Sequence, residues 1–274
     1  MDISREWKYM LVWLTIPAAF MAAYPWVLDA GGPLEWLLWA ILLFTLFFSV
    51  MIHELSHGLA ARACGDQTAR DAGRLTINPV THVSLVGSVI FPIILYLFKA
   101  PVFGWAKPVP FNPTQFYTHP RDQVWVAMAG PMSNFAVAGI CYTAYLFSIF
   151  IFKQMNPGII IGFPFDLFSP IDLSGAGFQP FWFVLLECLS MGIFLNLVLG
   201  MFNLIPFPPL DGSWILKAVL PKKAAVYFGK VQIFGFLLII LAIQFNLLDI
   251  FFYPLGMMIG FLGLLGGWTM GWMP

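Results

Sequence analysis

The chain has 274 residues; 60% are hydrophobic, only 9% are charged, and the mean hydropathy is +0.86. Soluble domains are nearer half apolar and a quarter charged, so the composition excludes a soluble globule and indicates a chain that crosses a membrane several times. The 13 basic and 13 acidic residues cancel to a formal charge of zero, which removes nucleic acid as a natural partner.

A helix needs about 20 apolar residues to cross the hydrocarbon core. Such stretches run over 9–28, 35–60, 122–152, 179–205, 228–247 and 250–272. They predict an all-α polytopic membrane protein with about six transmembrane helices. No cleavable leader is apparent, so the first stretch is expected to stay. The second ends on an unexpected polarity: LLWAILLFTLFFSV, fit for lipid, is followed at 51–60 by MIHELSHGLA. The polar stretch 62–84 is too short to fold alone. Segment 85–98 (LVGSVIFPIILYLF) is also short and holds Gly87 and Pro92, which suits a re-entrant element better than a full crossing. FGWAKPVPFNP (103–113) reads as extended chain. Its prolines 108, 110 and 113 confine it to a sheet edge, predicting a small membrane-associated β-hairpin or extended loop. Between the last two spans, FNLLDIFFYP suggests a turn, with one long broken helix as the rival reading. Without repeats or a soluble insertion, residues 1–274 are expected to form a single membrane-embedded domain. Cys64, Cys141 and Cys188 have no CxxC spacing and read as reduced thiols.

Charge sets the expected orientation. With a cytoplasmic N-terminus and 85–98 returning to its own side, Lys153 alone among the basic residues falls outside. Asp29, Glu35, Asp166, Asp172 and Asp249 then occupy the outer loops. The positive-inside rule favours this arrangement, with both termini and the HELSH segment toward the cytoplasm.

His53, Glu54 and His57 spell H-E-x-x-H. Positions i and i+4 of a helix share a face, so both imidazoles can reach one cation, and Glu54 is near enough to take a proton from water. Ionisable groups at membrane depth need partners, which argues against two histidines satisfied by interfacial hydrogen bonds alone. A zinc hydrolase requires a third ligand. A metzincin histidine would fall at position 63, which is Ala63, and the next glutamate after Glu54 is the distant Glu187. Asp66 and Asp71 lie among Arg62, Arg70 and Arg74 and read as a solvated loop. His82 and His119 read as interfacial. The better candidate is Asp211 in MFNLIPFPPLDGSWIL, where prolines 206, 208 and 209 break a helix at the level of His53 and His57.

HELSHG is joined by GRLTINPVTHVSLVGSVIFP (73–92), FGWAKPVPFNP (103–113), AGPMSN (129–134) and FNLIPFPPLDG (202–212). In this order the segments resemble the site-2 protease family of intramembrane zinc metalloproteases, in the compact bacterial and archaeal form without a PDZ domain. The resemblance implies that His53, His57 and Asp211 ligate one Zn2+ and that Glu54 activates the water. It implies a core of three helices, near 35–63, 121–152 and 179–205, with 9–28, 228–247 and 250–272 peripheral. It also suggests a role for Asn134 and Asn203, as oxyanion donors or substrate-backbone holders; helix-packing amides are the equal alternative. The expected function is cleavage of a peptide bond in or near a transmembrane segment of a membrane-protein substrate, within the cell membrane, as in regulated intramembrane proteolysis. Any regulatory partner stays unidentified. The alternative is a membrane metal-binding or metal-transport protein, which should carry further ionisable groups along a path through the bilayer.

Overall fold

A computed structural model describes residues 3–29, 34–99, 106–157, 179–231 and 249–269, with positions 235, 241, 242 and 245 between the last two ranges. All regular structure among these residues is helical. The long helices are α1 (Ile3–Asp29), α2 (Leu34–Ala63), α6 (Arg121–Met155), α7 (Gln179–Asn203) and α10 (Asp249–Thr269). Short helices fill the connections: α3 (Thr68–Asp71), α4 (Pro79–His82), α5 (Phe91–Leu97), α8 (Asp211–Val219) and α9 (Lys222–Val231). Four helices, α1, α2, α6 and α7, are long and apolar enough to cross a membrane.

The expected spans at 9–28, 35–60, 122–152 and 179–205 thus have counterparts in α1, α2, α6 and α7. Most of 228–247 lies outside the described residues, and 250–272 is helical as far as Thr269 in α10. Segment 85–98 is helical too. A wide first turn over Leu85–Ile90, started by the Ser84 hydroxyl accepting from the Gly87 N–H, runs into α5. At 1.5 Å per residue these turns rise at most about 20 Å, short of a hydrocarbon core of about 30 Å. Residues 106–112 are irregular and no strand occurs among the described residues, so no hairpin is seen there. Residues 103–105 lie outside the description.

The chain divides into two compact units. One comprises 12–49, 134–202 and 237–274. Its core is aliphatic and aromatic: Leu37, Leu38, Ile41, Tyr145, Ile149, Phe152, Phe183, Leu186 and Ile193 are buried together. Tyr24 meets Phe183 with ring centroids 4.6 Å apart. Small residues allow close helix approach here, as is usual between membrane helices. A Cβ on Gly192 would stand 2.8 Å from Cys141 Sγ, and one on Gly200 2.9 Å from the Phe135 ring. A buried amide chain crosses the same core: Asn134 Nδ2 donates to Asn196 Oδ1, and Asn196 Nδ2 donates to Ser49 Oγ, each at 2.8 Å. Trp36, Ile140, Phe147 and Ile250 expose most of their surface, as side chains facing lipid do.

The other unit comprises 1–11, 50–133 and 203–236. Its apolar groups are small: Leu55, Ala69, Leu75 and Val109 form one cluster, Ala61, Phe116 and Val126 another. Polar side chains hold much of the rest. Asp66 is fully buried and accepts from the Thr68 N–H at 2.8 Å, the Thr68 hydroxyl and the Asn112 N–H. It is therefore the internal clasp of the 62–84 loop and not the solvated carboxylate the sequence suggested. Asp71 behaves as expected, pairing with Arg70 at the surface.

Candidate metal centre

The site lies in the second of these units, on the last turns of α2. One helical turn apart, the His53 and His57 rings meet edge to face with centroids 4.7 Å apart. Their Nε2 atoms are separated by 3.1 Å, and Asp211 Oδ2 stands 3.0 Å from the first and 3.1 Å from the second. Both imidazoles are buried, and the Asp211 side chain is mostly so. His57 Nδ1 lies 2.7 Å from the Val126 carbonyl of α6, which only an N–H can satisfy, so its Nε2 turns a lone pair toward His53 and Asp211.

This convergence has a chemical consequence. A lone pair, a second imidazole nitrogen and a carboxylate oxygen, all about 3 Å apart, are too rich in electrons and too poor in hydrogens to be a complete hydrogen-bond set. They call for a cation between them. Ligand atoms around a tetrahedral ion at 2.0–2.1 Å lie roughly 3.4 Å from one another. The observed spacing is close to that, and two imidazoles with one carboxylate form a donor set that suits zinc.

Local sequence explains how each ligand arrives. α2 carries the histidines because an unbroken apolar helix places 53 and 57 on one face. Asp211 is aimed by tight turns after α7: Phe207 N–H donates to the Ile205 carbonyl, and Leu210 N–H to the Phe207 carbonyl. The turn leaves no space at Gly212, where a Cβ would fall 2.3 Å from the Leu204 carbonyl oxygen. Gly130 of α6 was not singled out from sequence, although AGPMSN was noted as a motif. A Cβ there would lie 2.3 Å from His57 Nε2 and 2.6 Å from His53 Nε2, in the space the cation needs.

Glu54 is half-buried beside the ligands, and its Oε2 accepts from the Val109 N–H at 2.9 Å. Gly58 makes that approach feasible: a Cβ on it would stand 2.8 Å from Val109 and 2.6 Å from Leu75. Among the described residues, no further histidine, cysteine, aspartate or glutamate joins the cluster. His82 is fully buried, donating from Nε2 to the Thr76 carbonyl at 2.8 Å, and burial lowers its pKa. His119 pairs with Gln123. Glu187 is buried in the other unit, as is Asn134, whose amide is engaged by Asn196. Asn203, the last residue of α7, belongs to the unit of Asp211.

A helix-borne pair of histidines, a carboxylate from a broken helix and a neighbouring glutamate define a metal-dependent hydrolase of the membrane. Comparison with known proteins agrees. The model of peptidase family M50 matches residues 41–243. The YwhC protein of Bacillus subtilis is 32% identical over 72% of this chain and 76% of its own. A zinc metalloprotease of Methanocaldococcus jannaschii is 27% identical over 68% of this chain and 36% of that longer protein. Rip2 of Mycolicibacterium smegmatis is 21% identical over 84% of this chain and 81% of its own. The Bacillus and Mycolicibacterium proteins carry the name zinc metalloprotease provisionally. No solved structure matches the chain significantly. The chain belongs to peptidase family M50, the site-2 protease family, and is a membrane zinc metallopeptidase.

Proposed function

We propose that this protein is an intramembrane protease that cuts a peptide bond in or near a transmembrane segment of another membrane protein, as in regulated intramembrane proteolysis. The observation that carries the reading is the convergence of His53, His57 and Asp211 beside Glu54, at the end of a 30-residue apolar helix. Hydrolysis needs water, and a site near the end of such a helix can be reached by it.

In this reading His53, His57 and Asp211 hold the zinc ion. Zinc, when bound, polarises the scissile carbonyl and makes a neighbouring water acidic enough to deprotonate near neutral pH. Glu54 is the general base. Its Oε2 is held by Val109, and Oε1 has no partner among the described residues, which leaves it to take the proton and return it to the leaving amine. Asn203, close in sequence to Asp211, is the better of the two asparagines for holding substrate. The bond from Asn134 to Asn196 supports its packing alternative.

A helical substrate must unwind before it can be cut, and the 106–112 segment is suited to assist. Pro108 and Pro110 prevent it from pairing as a central strand, and the Val109 carbonyl and Phe111 N–H have no partner among the described residues. Unwound substrate would add beside it as a strand. The short 85–97 helical segment supports a re-entrant reading, and the positive-inside pattern supports a cytoplasmic site in the cell membrane. α2 and α6 each give residues to both units, which supports one protease domain over 1–274.

The test compares purified wild type with Glu54→Gln for zinc content and for cleavage of a panel of membrane-helix substrates in detergent. Zinc retained by both, with cleavage only by wild type, is the expected outcome. Absence of zinc from reconstituted wild type would sink the reading.

A further inference from the structure

Glu54 is steadied by a backbone N–H, so whatever fixes that backbone also acts on the base. Segment 107–109 has little to fix it by itself. It is irregular, contains a proline that donates nothing, and belongs to no sheet among the described residues. Its main-chain groups are instead taken up by the loop between α3 and the 85–97 segment. Lys107 N–H donates to the His82 carbonyl at 2.9 Å. Arg74 Nη2 donates to the Lys107 carbonyl at 2.7 Å and to the Pro108 carbonyl at 3.3 Å, while Nη1 donates to the Thr81 carbonyl. One planar guanidinium thus joins 81 to 107 and 108, and the next N–H along the chain is the one on Glu54.

The loop that carries Arg74 is itself braced. Glu6 of α1 is buried and its Oε2 accepts from the Thr76 hydroxyl and the Ile77 N–H, both at 2.9 Å. His82 closes the loop through the Thr76 carbonyl. Every one of these residues lies in the unit that holds the metal site. Arg74 is mostly buried and bonds only to carbonyl oxygens; among the described residues it has no carboxylate salt-bridge partner. A cation spent on three carbonyls at one spot is a device for geometry, and a guanidinium fork does this where an ammonium cannot.

We propose that Arg74 is a positioning residue for catalysis: by gripping the Lys107 and Pro108 carbonyls it sets the Val109 N–H against Glu54 and keeps the 106–112 segment in place. This rests on the protease reading above. It touches neither metal nor substrate, so its loss should leave the zinc site intact and act on turnover.

The test uses the full chain in detergent, with the three cysteines replaced and a nitroxide label on Lys107→Cys, an exposed position. Arg74→Gln and the milder Arg74→Lys are each measured for label mobility, zinc content and steady-state kinetics. Expected for Arg74→Gln are a more mobile label, unchanged zinc, and kcat reduced roughly 10- to 100-fold with KM within about 3-fold. Arg74→Lys, able to reach one carbonyl at a time, should fall between it and wild type in both mobility and kcat. It decides the matter if Arg74→Gln does not fold. An unchanged label spectrum, unchanged kcat, or zinc lost together with activity would overturn the proposal. If wild type cleaves nothing, the protease reading fails, and label mobility alone still decides whether Arg74 holds the segment.

Discussion

A side chain at Gly130 would have its Cβ 2.3 Å from His57 Nε2, nearer than any non-bonded contact allows. The metal cluster therefore depends on an absent atom in α6 as much as on the donors in α2. Gly130→Ala has to push the imidazoles apart or displace α6, and the Val126 carbonyl that orients His57 moves with it. Zinc affinity should fall by about 10- to 100-fold, the usual cost of disturbing groups around the ligands. Competition with a chromophoric chelator measures this, and wild-type affinity in the variant would show that the site tolerates the extra methyl.

Removing the metal and removing a ligand should differ in reversibility. Dialysis against a strong chelator should abolish cleavage, and stoichiometric Zn2+ should restore it. Asp211→Ala leaves two neutral donors without an anion, so zinc content should drop to about a tenth or less under the same dialysis and added zinc at that level should not rescue activity. Full zinc occupancy in Asp211→Ala would remove Asp211 from the ligand set.

Asp66 predicts a loss of stability without a loss of metal. Its carboxylate accepts three hydrogen bonds in a fully buried position, including the one from Asn112 that anchors the far end of the 106–112 segment. Asp66→Ala orphans those donors, for a cost of about 3 kcal/mol. A lowered midpoint in thermal unfolding, with zinc content unchanged at low temperature, is the expected pattern. Loss of zinc at temperatures where the fold persists would instead tie Asp66 to the metal site.

The hydrogen-bonded chain Asn134–Asn196–Ser49 joins residues far apart in sequence, so on the packing reading its disruption should weaken helix association modestly. Asn196→Ala removes both ends of the chain at once, and membrane hydrogen bonds of this kind contribute about 1 kcal/mol each. Unfolding in a mixed-detergent titration should register a loss of about 1–2 kcal/mol. A collapse of kcat with stability intact would move Asn134 back toward the substrate.

Much of this was legible because membranes constrain sequence tightly. Four of the spanning helices follow from apolar length alone, since an unpaired backbone group in lipid is too costly for any other structure there. The candidate metal cluster was readable too. H-E-x-x-H fixes its geometry by helical period, and Asp211 closely follows the helix-breaking prolines 206, 208 and 209.

What the sequence left open depends on contacts between residues distant along the chain. Asp66 and Asp71 look alike in a run of charges, yet one is a fully buried clasp and the other pairs at the surface, because only Asp66 meets the backbone of Asn112. Gly130 reads as one small residue in a helix until α6 packs against the imidazoles. Arg74 reads as a positive charge in a loop until its guanidinium reaches carbonyls more than 30 positions away. Helical period and apolar length are local and survive in one dimension. The closeness of approach that makes a glycine necessary, or gives a buried charge its partners, exists only once the tertiary structure has brought the chain back on itself.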